Sequence, residues 1–387
     1  MDTILRKNYK AILTSNYHLY VLKKRIMNIY YIPIVILLIL PNCNKILPKT
    51  YYFDDENFQY AGRYELLKND AALISPGSSV TIKFSGNYCS INLKSEKLPY
   101  NYVSFELDGE YKGRIRIESE STKEYVVEIS TNKKEHSLKI IKESEASNGS
   151  LLFSSITVDK ILPNTPSVKP FIEFIGDSIT CGAAADGSAT PCNTGVYFDQ
   201  ENVYFSYGAI TARALNVDFT LSSVSGIGMY RNWNDENIEE PIMPQVYENL
   251  YLNTNTSIKN NFEKKPDIVS ICIGTNDLSN GDGKKPRLPF NKEKYISNYI
   301  NFIKTIYSHY PETQIVLLNS PMIQGDSNTL LLSCLNEVQS YFTSQTNKSI
   351  LLFEFDEAYN NGCLWHPSVS DHKEIAEKIT PFFKKSL

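Results

Sequence analysis

The sequence has no surplus of basic charge, no cysteine pair at redox or metal-ligand spacing, and no apolar run long enough to cross a bilayer. Lysine and arginine total 39 against 43 aspartate and glutamate, a formal charge of −4, so no positive field exists to hold nucleic acid. The seven cysteines contain no C-x-x-C, and no H-x-x-x-H stands on a helical pattern, so no metal site and no cofactor is expected. The apolar run at residues 32–40 is shorter than the roughly 20 residues a spanning helix needs. Hydrophobic residues at 42% and aromatic residues at 12% exclude a disordered chain, and 387 residues lead us to expect two domains.

The chain begins with a segment unlike the rest. In "LKKRIMNIYYIPIVILLILPNC", Lys23, Lys24 and Arg25 precede the short apolar run and Cys43 follows it, the layout of a secretory signal. Cys43 lies three residues after Leu40, the spacing of a lipoprotein signal, although Pro41 and Asn42 are larger than the residues usual there. Residues 1–45 therefore read as an upstream extension plus a signal, with an exported protein lipid-anchored through Cys43 at the cell envelope or else secreted. That anchor would be its sole tie to a membrane. Export exposes the other six cysteines to disulfide-permitting conditions, and a Cys334–Cys363 bridge is among the pairings they allow.

Two periodicities follow. Residues 46–161 give short alternating runs such as "SSVTIKFSG", "CSINLKS" and "YVSFELDGEY", with Asp108 and Gly109 as a hairpin turn, which predicts an all-β sandwich. After a proline-rich linker at 162–170, residues 171–387 alternate continuous apolar strands ("FIEFIG", "DIVSICIG", "QIVLLNSPM") with helical patterns. Strands apolar on both faces with helices between them predict an α/β domain with a doubly wound parallel sheet, whose site lies beyond the carboxyl ends of the strands.

Four positions satisfy that rule: Ser178, Gly226, Asn276 and His366. They supply what acyl transfer needs, namely a nucleophilic hydroxyl (Ser178), a base near neutral pKa (His366), and donors for an oxyanion in the Ser178 and Gly226 N–H groups and the Asn276 amide. The segments "GDSIT", "SSVSGIG", "GTND" and "WHPS" resemble, in order, the four blocks of the SGNH (GDSL-type) hydrolases. Thr180 stands where a G-x-S-x-G elbow would require its second glycine, which disfavours the α/β-hydrolases. With "ENVYFSYGAITARAL", "SGIGMYRN", "GCLWHPS" and the preceding β domain, the narrower resemblance is to carbohydrate esterase family two, which joins a jelly roll to an SGNH domain. That resemblance implies a serine esterase acting as a monomer on an acetylated polysaccharide or oligosaccharide, by way of an acetyl-enzyme on Ser178.

The chain departs from the pattern at one point. Relatives commonly place an aspartate shortly before the histidine, where this chain has Cys363 and Leu364. Ser178 and His366 are therefore read as a dyad, with a backbone carbonyl as acceptor for the imidazole Nδ1; Asp356, Glu357 and Asp371 lack the expected spacing. Simpler readings stand beside these: Ser178 as a helix N-cap, Asn276 and Asp277 as an Asx turn after a strand, His372 as a solvated first-turn residue, and Asp177 as a brace of its turn. Trp365 is either core or a wall of the sugar site, and Arg231 and Asn232 either shape a substrate cleft or hold a turn. A glycan-binding protein without activity and a lipase or thioesterase are the competing functions.

Overall fold

The computed structural model describes residues 47–387 except 98, 120, 130–132, 166–167 and 347; the expected signal and Cys43 lie outside the described residues. Ten antiparallel strands come first: β1 Lys49–Tyr52, β2 Gln59–Ala61, β3 Tyr64–Leu66, β4 Ala71–Leu73, β5 Ser79–Ser95, β6 Tyr100–Leu107, β7 Glu110–Glu118, β8 Lys123–Val126, β9 Glu135–Lys142 and β10 Leu151–Ile161. They form one hydrogen-bonded network in the order β3-β4-β10-β5-β9-β6-β7, with β1 added to β10 and both β2 and β8 added to β5. Alternate residues such as Val80, Ile82, Phe84, Ile91 and Leu93 point into a shared core and are fully buried. The hairpin at Asp108 and Gly109 joins β6 to β7, both residues having the positive φ that a two-residue turn of this kind requires.

One sequence expectation changes here. "SSVTIKFSG" and "CSINLKS" read as two strands, yet they form the single strand β5. Gly86 takes φ +114° where a Cβ would stand 1.9 Å from the Asp159 carboxylate, and the register with β10 shifts between Val158 and Lys160. The glycine marks a bulge in a strand that stays paired with β10 on both sides of it, rather than a reversal of the chain.

The second region holds β11 Phe171–Gly176, β12 Asp218–Ser223, β13 Ile268–Cys272, β14 Gln314–Leu318 and β15 Leu351–Phe353, all parallel, in the order β12-β11-β13-β14-β15. Its helices are α1 Ser178–Cys181, α2 Tyr207–Leu215, α3 Met243–Val246, α4 Thr275–Leu278, α5 Lys292–His309, α6 Gly325–Thr346 and α7 Val369–Lys384. Every residue of β11 and β13 is buried because helices cover both faces. On one side α5 and α6 contribute Phe302, Ile306, Leu335 and Phe342 to the core; on the other α2 and α7 contribute Tyr207, Ile375, Ile379 and Phe383. This is the doubly wound sheet expected, and its strand order reverses at β11, between β12 and β13.

Arg63 of the sandwich is 2% exposed and reaches into the α/β domain. Its guanidinium donates to the carbonyls of Asn249 (2.7 Å) and Tyr247 (2.9 Å) and to Ser222 Oγ (3.0 Å), with Glu173 Oε1 at 3.9 Å. Glu173 sits within β11 and also accepts from Ser222 Oγ (2.6 Å) and Tyr247 Oη (2.9 Å). Removing one member of a buried ion pair leaves the other charge uncompensated, so Arg63→Ala is expected to destabilise the protein by about 3–5 kcal/mol. Chemical denaturation of wild type and variant at neutral pH checks this.

Candidate active site

The residues after β11 make a turn whose conformation is set locally. A Cβ on Gly176 would stand 2.0 Å from Thr180 Oγ1, so only glycine permits the strand to meet the helix here. Asp177 caps α1 by accepting the Ile179 N–H at 3.0 Å, and Gly182, at φ +69°, ends it after one turn. The capping function thus belongs to Asp177, and Ser178 is the first helical residue, with its Oγ 2.9 Å from His366 Nε2.

His366 comes from the segment between β15 and α7. Leu364 (φ 51°) and Trp365 (φ 63°) are consecutive non-glycine residues in the left-handed region, which costs about 1–2 kcal/mol each. The surroundings hold this turn: Cys363 N–H donates to Ala184 O (2.8 Å), Gly362 N–H to His366 O (2.7 Å), and His366 N–H to Cys363 O (3.0 Å). The turn brings the Leu364 carbonyl to 3.0 Å from His366 Nδ1. A carbonyl only accepts, so Nδ1 carries the proton and the Nε2 lone pair faces the Ser178 hydroxyl. Burial pushes the His366 pKa below the usual imidazole range, against the opposing effects of the Leu364 carbonyl and the Glu145 charge.

The carboxylates that lacked the expected spacing, Asp356, Glu357 and Asp371, are engaged elsewhere. Asp371 accepts Asn361 N–H (2.9 Å) and Ser368 N–H (2.9 Å), while Asp356 and Glu357 pair with Lys378. His372 requires correction. It is fully buried rather than solvated, accepts the Tyr207 N–H at Nδ1 (3.2 Å), and is pushed down by burial to about 3, because the first turn of α7 faces α2 and not water. The disulfide expectation also changes. Cys363 pairs with Cys192, whereas Cys334 is a buried free thiol on α6, facing the core beside α5.

The loop after β12 brings Gly226 to the same edge. Gly226 has φ +76°, and a Cβ there would meet only Trp233 Cβ at 3.9 Å, so glycine serves the backbone conformation rather than close approach. Among the described residues, neither the Ser178 nor the Gly226 N–H donates to an acceptor. The Asn276 amide donates to Ile227 O (2.8 Å) and to Asp177 Oδ2 (3.2 Å), linking the ends of β11, β12 and β13. Burial pushes Asp177 up to about 7. Asp277 organises the loop that follows Gly226. Its carboxylate accepts the N–H groups of Met229 (2.8 Å), Tyr230 (2.8 Å) and Arg231 (3.2 Å), although burial still raises its pKa to about 6.

Arg231 and Asn232 direct their polar groups into this loop. Arg231 donates to Asp277 O (2.7 Å) and Leu288 O (2.6 Å) and pairs with Glu236 (3.0 Å); Asn232 accepts Gly228 N–H (3.1 Å) and donates to Pro241 O (3.2 Å). Trp365 is 78% exposed, which removes it from the core. A cavity of about 360 Å³ opens beside Ser225, lined by Glu145, Asn148, Asn232, Glu239 and Glu240 among others. Sequence reading did not single out the Cys192 partner, Tyr197 or Glu145, because nothing in their local sequence marks them.

The family model described as GDSL-like Lipase/Acylhydrolase matches residues 172–379, more than half of the chain. The chain belongs to this family. A second model, Carbohydrate esterase 2 N-terminal, matches residues 60–166 of this acylhydrolase, so the resemblance read from the four blocks and the preceding β domain is borne out. The chain is 30% identical over 347 residues to Cellulase/esterase CelE of Acetivibrio thermocellus, covering 86% of this chain and 40% of the relative, so it spans under half of that protein. It is 26% identical over 342 residues to an acetylxylan esterase / glucomannan deacetylase of Cellvibrio japonicus, covering 86% of this chain and 90% of the relative. Among solved structures, a family two carbohydrate esterase from Clostridium thermocellum in complex with cellohexaose matches with a TM-score of 0.76 and 28% identity, over 85% of this chain and 98% of that one. The fold is therefore the jelly-roll sandwich plus SGNH domain that the sequence predicted.

The Cys192–Cys363 bridge in this acylhydrolase ties the segment after α1 to the residue preceding Leu364. Replacing both cysteines with serine is expected to lower stability by about 2–4 kcal/mol and to reduce kcat, since the Leu364 carbonyl loses an anchor. Denaturation and steady-state kinetics of the double variant, beside wild type treated with dithiothreitol, check both effects.

Proposed function

We propose that the protein is a serine esterase that removes O-acetyl groups from a plant-type polysaccharide or its oligosaccharides. The observation that carries the reading is the continuous line from Ser178 Oγ to His366 Nε2 (2.9 Å) and from His366 Nδ1 to the Leu364 carbonyl (3.0 Å). His366 Nε2 takes the hydroxyl proton as Oγ attacks the acetyl carbonyl, and the negative charge develops on the carbonyl oxygen. The Ser178 and Gly226 N–H groups and the Asn276 amide receive that oxyanion, Asn276 by turning the proton it gives Asp177 at 3.2 Å. Collapse expels the sugar alkoxide, which takes its proton from the imidazolium. Water, deprotonated by His366, then attacks the acetyl-enzyme, and Ser178 leaves as the alcohol with release of acetate.

The cavity beside Ser225 supports a sugar over a long acyl chain. Glu239, Glu240 and Asn148 suit hydroxyl groups, and they would leave a fatty chain beside polar and charged groups. Trp365, exposed next to His366, offers a flat face on which a pyranose ring stacks. Export would give the Cys192–Cys363 disulfide the conditions it needs.

Ser178→Ala and His366→Ala are expected to lower kcat for an aryl acetate by at least about 10³-fold, and Asn276→Ala by about 10²- to 10³-fold. Acetate release from acetylated xylan, glucomannan and monosaccharides by wild type and these variants checks the reading; full turnover by Ser178→Ala would sink it, and tight polysaccharide binding without turnover would favour a binding protein. His366 must be neutral to act, so kcat/KM falls as pH drops through its pKa. Because burial depresses that pKa, the acid limb for an aryl acetate is expected to have its midpoint below about 6.5.

A further inference from the structure

Glu145 belongs to the sandwich, in the turn between β9 and β10, and is 3% exposed. Its carboxylate nevertheless serves the α/β domain. Oε2 accepts the Ser225 N–H at 2.6 Å, and Oε1 accepts the Ser225 hydroxyl. The same hydroxyl oxygen lies 3.0 Å from Tyr197 Oη, and the Tyr197 ring stands edge-on to His366 with 6.5 Å between centroids. Ser225 immediately precedes Gly226, whose N–H is a proposed oxyanion donor. A buried carboxyl group needs hydrogen-bond partners, and here two of them are the backbone N–H and the hydroxyl of a single residue of the site.

We propose that Glu145 is a positioning residue of the active site: it locks Ser225, through its N–H and hydroxyl, immediately before Gly226, and supplies, from the neighbouring domain, the negative charge that the Ser178–His366 dyad lacks in its own. This rests on the reading of Ser178 and His366 as nucleophile and base. Several titratable groups surround the pair. Glu201 is held well above the usual carboxylate range by burial and by Glu145 beside it. Burial likewise keeps the Cys181 thiol, the Tyr197 hydroxyl and His372 neutral. Lys142, pushed down by burial to about 7, donates to the Glu145 backbone carbonyl at 2.8 Å and is the one cation in this group. The Glu145 charge opposes the lowering of the His366 pKa by burial, as a carboxylate near an imidazolium does.

The experiment compares wild type, Glu145→Gln, Glu145→Asp and Ser178→Ala, all as the full chain, on an aryl acetate across pH. In Glu145→Gln, kcat is expected to fall about 10- to 100-fold with KM within twofold, and the acid limb to move to lower pH. Glu145→Asp retains the charge on a shorter arm, so it is expected to restore the limb while kcat stays reduced. An unchanged kcat and limb in folded Glu145→Gln overturns the proposal, and so does a lower kcat with the limb unmoved, which would assign Glu145 to packing alone. If Glu145→Gln does not fold, Ser225→Ala takes its place: a severalfold lower kcat with the wild-type limb supports the proposal, and wild-type kinetics overturn it. Should Ser178→Ala retain wild-type turnover, the reading of Ser178 fails, while NMR titration of the His366 imidazole in wild type and Glu145→Gln still decides the part played by Glu145.

Discussion

A backbone carbonyl, that of Leu364, fixes the tautomer of His366 and with it the direction of proton transfer at Ser178. It replaces a side-chain carboxylate, and the exchange has structural consequences. A carboxylate can swing on its side chain to find the imidazole, but a carbonyl points only where φ and ψ send it. The chain meets that demand with two successive left-handed residues, held by hydrogen bonds to Ala184 and within the turn and by the Cys192 bridge. The local cost of that conformation is offset by these hydrogen bonds and the bridge, as is common where backbone geometry serves a site.

The parallel sheet supplies the other half of the geometry. Its order reverses at β11, so the crevice outside the ends of β11, β12 and β13 is the natural ligand position of such a fold. Asn276 and Asp277 hold this edge together, one linking three strand ends and the other gathering the N–H groups of the loop after Gly226. The sandwich is coupled to the same edge and to the sheet itself through two buried charges. Arg63 grips β11 and β12 through Glu173 and Ser222, and Glu145 grips the peptide after β12.

Much of this was legible in the sequence. Continuous apolar runs mark strands buried on both faces, and Gly176, Gly226 and Asn276 stand where those runs stop, so the positions of the four blocks and the class of fold could be read directly. The remainder resisted for identifiable reasons. A carbonyl acceptor has no residue identity, so the role of residue 364 leaves no trace beyond the missing aspartate. Cys192 and Cys363 are 171 residues apart, and proximity along the chain favoured the wrong partner, Cys334. His372 looked solvated because its neighbours Ser370 and Asp371 are polar, while the helix periodicity that turns it inward depends on where α7 starts. Glu145 lies in a charge-rich turn of the other domain, and only tertiary packing brings it to Ser225.

The Cys192–Cys363 bridge closes a covalent ring around most of the α/β domain. Gly226 and Asn276 lie within the ring, Ser178 lies just before it, and His366 just after. A protease that cuts one exposed loop inside the ring therefore releases no fragment. The two halves of the dyad remain on one molecule, joined through sulfur at Cys192, 14 residues after Ser178, and at Cys363, three before His366. The ring turns a severing cut into a nick.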